Sequence, residues 1–307
     1  MSDQENLRHS GSFPEVAVLL ATHNPTPVVK EQIESIYSQE LVKVKVYWGD
    51  DRSNEESKEY VRSLLKGKNF VEIKDTGIGA AKNFLHLLRF PTEPYIAFSD
   101  QDDIWLPRKL AQHVELLKNS SELSALSHSN SLLLIDGEIR FKESVCNEHT
   151  FHDLSWQNCV QGCTVVINSE AQKILNRSSQ KYVIAHDWWA AQTISLFGKI
   201  YINENSDVLY RIHSGNSIGN PNSLGRIINS ISRDTKTQSR QNLEVLENFM
   251  AQNIKDQRAV EAMYLLWSEL NSGSALFRLK LAFSGKKARK YYLEDFWRRL
   301  MLVFRAP

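Results

Sequence analysis

The run from Val16 to Thr22 constrains this chain more than any other stretch, because it is apolar up to its last residue and shows no polar alternation. A strand with one wet face alternates. An unbroken run with valines reads instead as a strand buried on both faces, as in a parallel sheet covered by helices. The next segments keep that rhythm. Val29, Ile33, Ile36 and Tyr37 fall at helical spacing within 28–39, a second strand is expected over 42–48, and a helix over 55–65. A short strand near 70–74, a helix over 80–88 and a strand over 95–98 follow. Alternating β and α elements predict an α/β fold with a mostly parallel sheet flanked by helices and ligands beyond the carboxyl ends of its strands. Thr22 to Asn24, Asp50 to Ser53 and Asp100 to Asp103 each follow a strand, so they are expected to share one crevice. Beyond Pro107 a helix should run to about Lys118, and 127–135 and 163–167 read as further strands. Gly, Asn, Ser and Pro concentrate between Gly215 and Gly225, which marks a boundary. The expected organisation is a loose N-terminus at 1–13, an α/β domain at 14–220 and a helical region at 221–307.

The acids at the end of the 95–98 strand carry the clearest chemistry. Asp100, Asp102 and Asp103 lie within four residues. Like charges this close repel unless a cation offsets them, and oxygen ligands suit Mg²⁺ or Mn²⁺. An Asp-x-Asp with coordination positions left open would bind a nucleoside diphosphate through that ion. The same acids also suit the cap of a helix opened by Pro107. Asp50 and Asp51 have the same two readings: nucleotide contact, or a turn.

Composition narrows the setting. The 307 residues are 42% hydrophobic and 24% charged, enough for a substantial core. Three cysteines, Cys146, Cys159 and Cys163, point to a reducing compartment and a cytoplasmic protein without a disulfide framework. His149, His152, Cys159 and Cys163 have zinc-ligand chemistry but not a standard zinc spacing, so scattered polar and small buried residues are the preferred reading. The polar stretch 1–15 does not read as a signal peptide, and no apolar run approaches the roughly 20 residues of a membrane span. The net charge of +1 is unevenly spread: Phe277 to Arg305 holds nine basic and two acidic residues, so that segment is +7 and the remainder −6. Its aromatic and aliphatic residues interleave with the bases, which suits either peripheral contact with an anionic membrane or a terminal helix with a solvated basic face. Nucleic-acid binding is disfavoured by the acidic remainder.

Six ordered motifs resemble the inverting family 2 glycosyltransferases of GT-A fold, especially the rhamnosyltransferase-like enzymes of bacterial surface polysaccharides. They are Ala21 to Asn24, Gly49 to Ser53, Gly79 to Phe84, Asp100 to Asp103, His186 to Trp189, and Leu209 to His213, within a resemblance over residues 14–220. The resemblance implies donor-nucleotide binding by Thr22, His23, Asn24, Asp50, Asp51, Gly79, Asn83, Asp100, Gln101 and Arg211. It implies metal ligation by Asp102, with Asp100, Asp103 and His213 contributing, and a pocket wall from Gly162, Cys163, Trp105, His186, Trp188 and Trp189. Asp187 would be the general base. Arg52 stands where the family commonly has glycine. The implied activity is transfer of a sugar from a UDP- or dTDP-linked donor, with Mn²⁺ or Mg²⁺, to a lipid-linked saccharide at the inner face of the membrane. A nucleotidyltransferase on the same scaffold and a non-catalytic nucleotide- or sugar-binding protein are the alternatives, since fold alone does not fix activity.

Overall fold

A computed structural model describes residues 12–74, 79–118, 120, 123–141, 149–156, 158–212 and 224–252, with the backbone alone described at 152, 156 and 224–236. The first half alternates as expected: β1 (Glu15–Thr22), α1 (Val29–Tyr37), β2 (Lys43–Asp50), α2 (Glu55–Leu65), β3 (Phe70–Ile73), α3 (Ala80–Leu87) and β4 (Tyr95–Ser99). Seven of the eight residues of β1 are buried, in keeping with its unbroken apolar run. β1 pairs in parallel with both β2 and β4, and β2 with β3, which gives the order β3-β2-β1-β4. The chain reverses its direction of growth at β1, so a crevice opens between the carboxyl ends of β1 and β4.

The second half is mixed. β5 (Ile104–Trp105), α4 (Lys109–Lys118), β6 (Ser124–Ile135), β7 (Glu138–Phe141), α5 (Phe151–Trp156), a 3₁₀ turn at Gly162–Thr164, β8 (Val166–Asn168), α6 (Ser169–Arg177), α7 (His186–Phe197), β9 (Gly198–Arg211) and α8 (Leu224–Ala251) complete it. β8 runs antiparallel to β4 and β6, β9 runs parallel to β6 and antiparallel to β5, and one sheet continues as β4-β8-β6-β9-β5. The parallel reading therefore describes β1 to β4, and the sheet beyond them is mixed.

Two apolar cores cover the sheet. Val16, Val18 and Leu20 pack with α1, Trp48 and Trp105 on one face, while Ala17 and Leu19 pack with α3, α7 and Phe98 on the other. Val245, Leu246 and Phe249 of α8 join the second cluster, so this helix shares the core of the α/β sheet. Each large side chain so enclosed contributes about 1.5–3 kcal/mol. Cys159 is disulfide-bonded, which overturns the expectation of unpaired thiols and removes this residue from any zinc set, while Cys163 is free and buried. Among the described residues no helix is long and apolar enough to cross a membrane. The basic, aromatic segment 277–305 lies outside the described residues.

Candidate active site

The ends of β1, β2 and β4 are tied together by the polar residues that follow them. Trp48 Nε1 donates to Thr22 Oγ1 at 2.9 Å, and Thr22 Oγ1 donates to Asp50 Oδ2 at 2.7 Å. Asp50 also accepts the Ser53 amide at 2.8 Å and the Ser53 hydroxyl at 2.7 Å. Thr22 and Asp50 therefore hold the floor of the crevice. Ser53, which the sequence reading quoted but did not place in the site, completes the knot by accepting the Asn24 amide at 2.7 Å. Arg52 sits at φ 61°, the left-handed conformation that glycine adopts most easily, so the turn survives the replacement of the family's glycine.

Gln101 bridges β4 to β1 by two reciprocal bonds, accepting the His23 amide at 2.9 Å and donating to the His23 carbonyl at 3.0 Å. His23 and Asn24 are exposed beside it. Asp51 is buried and accepts the Gly79 amide at 2.6 Å, at the start of α3. Asn83 donates to the Gly49 carbonyl at 2.9 Å, and its own Oδ1 is buried without a partner. Asp51 and Gly79 thus line up the α3 terminus with the crevice, whereas Asn83 fastens the helix from behind.

The acids after β4 converge with an acid from α7. Asp103 is fully buried; its Oδ1 accepts the Arg211 amide at 3.2 Å and its Oδ2 has no partner. Burial, then the charge of Asp102, push its carboxyl up to about 7. Asp100 is raised well above the usual carboxylate range by desolvation and then by Asp103, Asp102 and Asp187. Ligand atoms of Asp100, Asp103 and Cys163 lie within 4.8 Å of one another. An enclosed set of repelling carboxyls with an orphaned oxygen fits a divalent cation. Asp102 lies in the same turn, outside that compact trio. Arg211 straps the turn: its Nε donates to the Asp102 carbonyl at 3.0 Å and its Nη2 pairs with Glu31 at 2.8 Å. Its guanidinium is spent on protein groups here. His213 lies outside the described residues.

Asp187 occupies the first turn of α7. Its Oδ1 accepts the Trp188 amide at 2.6 Å and its Oδ2 the Gly162 amide at 2.9 Å, so both oxygens are oriented by backbone. An added Cβ at Gly162 would meet His186 Nε2 at 2.8 Å, so any other residue there requires the imidazole to shift. His186 stacks on Phe84 with ring centroids 3.9 Å apart, and burial lowers its pKa. The remaining expected pocket residues lie inside the protein. Trp189 and Trp105 are 0% and 2% exposed within the cores, and Trp188 is buried with its indole N–H on the Leu154 carbonyl. Rings enclosed in this way offer no free face to a sugar. Cys163 is likewise buried, its thiol grouped with the carboxyls of Asp100 and Asp103.

The residues missed in the sequence are supports. Gln32 donates to Ser99 Oγ at 2.7 Å, and Ser99 donates to the Asp100 carbonyl at 3.0 Å, tying α1 to the acidic turn. A glutamine on the apolar stripe of α1 was the available signal.

Comparison with known proteins agrees with this geometry. Residues 17–128 match the model of glycosyl transferase family 2. The chain is 28% identical over 222 residues to the dTDP-rhamnosyl transferase RfbG of Shigella flexneri, covering 65% of this chain and 73% of that one. It is 23% identical over 175 residues to an Escherichia coli UDP-Glc:alpha-D-GlcNAc-diphosphoundecaprenol beta-1,3-glucosyltransferase, WfgD, covering 57% and 67%. Among solved structures, S. aureus TarS in complex with UDP superposes with TM-score 0.58 at 13% identity, over 89% of this chain and 75% of that one. The mannosyltransferase PcManGT from Pyrobaculum calidifontis, in complex with GDP-Man and Mn²⁺, gives 0.55 at 14% identity, over 98% and 90%. The crevice, its acids and these likenesses agree: residues 17–128 form a domain of the glycosyl transferase family 2 kind, and the chain has the GT-A fold.

Proposed function

We propose that this enzyme transfers a sugar, with inversion, from a UDP- or dTDP-linked donor to a lipid-linked saccharide in bacterial surface polysaccharide synthesis. The observation that carries the reading is the convergence of Asp187, from α7, on the acidic turn after β4: Asp187 accepts the Gly162 amide at 2.9 Å, and the ligand atom of the next residue, Cys163, lies within 4.8 Å of those of Asp100 and Asp103. One acid group is then placed to take a proton beside others placed to hold a cation. The relatives' printed activities on dTDP-rhamnose-type and UDP-glucose donors, and on a diphosphoundecaprenol-linked acceptor, support the choice of substrates.

In this account the nucleotide lies against Asp51, the α3 terminus and the exposed His23–Asn24 corner. A divalent ion, Mn²⁺ or Mg²⁺, held by Asp100 and Asp103 with Asp102 adjoining, would offset the charge that builds on the departing diphosphate. The acceptor hydroxyl attacks the anomeric carbon as the bond from that carbon to the diphosphate oxygen breaks, and Asp187 takes the hydroxyl proton. Backbone amides on both of its oxygens keep the carboxylate aimed. Arg211 fixes the turn by its contacts to Asp102 and Asp103.

The test is thermal stability with UDP, dTDP, GDP and CDP, each with Mn²⁺, Mg²⁺ or chelator. A ligand at a hundredfold excess over its dissociation constant adds about 2.7 kcal/mol. The expected result is a metal-dependent rise with UDP or dTDP that Asp103→Asn abolishes; no rise with any nucleotide would sink the proposal. Peripheral membrane attachment through 277–305 rests on its +7 charge. It predicts that a chain ending before Phe277 loses binding to anionic vesicles, and undiminished binding would refute it.

A further inference from the structure

α8, the last of the described helices, carries a row of polar residues that are buried: Gln238, Gln241, Asn242 and Glu244 are each 7% exposed or less. Gln241 Nε2 donates to Gln192 Oε1 at 2.7 Å, and Gln192 Nε2 donates to Asn242 Oδ1 at 2.7 Å, so α8 and α7 are joined by a chain of amides. The same helix faces the segment between α6 and α7, which has no ladder of its own. Glu244 accepts the Tyr182 amide at 3.0 Å, the Lys181 amide at 3.3 Å and the Ser179 hydroxyl. Gln241 Oε1 accepts the Ile184 amide at 2.8 Å, and Asn248 Oδ1 the Ser179 amide at 3.2 Å.

Four backbone amides of 179–184 thus end on side chains of one helix. Ser179 and Lys181 are exposed and Tyr182 and Ile184 half-buried, so α8 supplies fixed acceptors where water would otherwise leave the path of this segment loose. That segment enters α7 at Ala185, two residues before Asp187. Glu244 has no ion pair among the described residues, and its carboxylate is occupied with loop donors. A carboxylate used in this way fixes backbone more firmly than a neutral acceptor, since charge-assisted bonds are about twice as strong.

We propose that Gln241 and Glu244 are positioning residues for the transfer: together they fix the path of 179–185 and so the placement of Asp187 against the acidic turn. The inference rests on Asp187 being the base. Small displacements of a reacting group cost rate steeply, about a hundredfold for 1 Å, while the nucleotide site on β1, β2 and β4 does not touch this segment.

The experiment measures nucleoside diphosphate release from dTDP-rhamnose or UDP-glucose with a saccharide acceptor, for Gln241→Leu, Glu244→Ala and Glu244→Gln, each alone and with Asp187→Asn. Thermal stability and nucleotide affinity are measured alongside. The expected result is a fall in kcat of about tenfold or more for Gln241→Leu and Glu244→Ala, with nucleotide affinity held within about twofold. Glu244→Gln, which keeps an acceptor oxygen, should recover much of the rate. In the Asp187→Asn background the α8 changes should cost little more, because residues acting as one unit are non-additive. A lower melting temperature with unchanged kcat in the folded enzyme would overturn the proposal, leaving these residues a structural role alone. So would an equal loss of kcat with and without the Asp187 carboxylate. Failure of the base assignment shows separately, as full turnover in Asp187→Asn alone.

Discussion

Asp103 shows how far one residue can be read. Its place in a run of acids at a strand end announced a cation, yet nothing in the sequence said that it, rather than Asp102, would be the enclosed one. Enclosure came from Cys163 and from Arg211, contributed by distant parts of the chain. The consequence is a pH dependence with a definite sign. A carboxyl raised from 3.8 to about 7 holds a proton in the folded state that the unfolded chain releases. Its contribution to stability is therefore complete below the unfolded pKa and lost as pH rises through about 7. His128, His113, His186 and His149 are all lowered by burial and act in the opposite sense below about pH 6.5. The effect is isolated as the difference in melting temperature between wild type and Asp103→Asn in chelator. Between about pH 5 and 8 that difference should move against the wild type, and saturating Mn²⁺ should cancel it. A difference independent of pH would show that Asp103 ionises as an ordinary exposed acid.

Among elements, β1 to β4 were legible because each is a short apolar run between recognisable breaks, and α3 because Gly79 precedes it. β9 was not. Over 198–211 it mixes Lys199, Asn203, Glu204 and Asp207 with apolar residues, and its pairing with β6 breaks register between Ser129 and Ser131. The polar positions are used inside the fold: Asp207 accepts from Ser129 at 2.6 Å and from Asn203 at 2.9 Å, and sits 2.8 Å from His113 Nε2. A strand that buries polar partners loses the alternation by which strands are recognised. The entry to β9 is equally particular. Gly198 passes so close to Ser124 that a Cβ would lie 1.8 Å from the Ser124 carbonyl oxygen, so backbone has to shift for any other residue. Gly198→Ala should destabilise by about 1–3 kcal/mol, read from denaturant unfolding. An unchanged midpoint would mean that the β6–β9 entry can relax freely.

On the scale of the whole molecule, the α/β half and its donor-side motifs could be read in order along the chain, whereas the assembly of the site could not. The family resemblance implied Trp105, Trp188 and Trp189 as pocket residues. Trp189 and Trp105 instead fill the two cores, and Trp188 is buried with its indole N–H on the Leu154 carbonyl. α8 read as a helix in a separate region, yet its apolar residues complete the core beneath α7 and its polar ones reach the segment before Asp187. In the proposed reading the crevice of the parallel half takes the nucleotide, and Asp187 of the mixed half, beside it, is the base. That juxtaposition is the central claim, and turnover by Asp187→Asn tests it most directly, with nucleotide affinity measured on the same sample. The account predicts nucleotide binding within about twofold of wild type and a rate lower by about 10²- to 10⁴-fold, the range for removing a positioned general base. Wild-type turnover in that variant would contradict it.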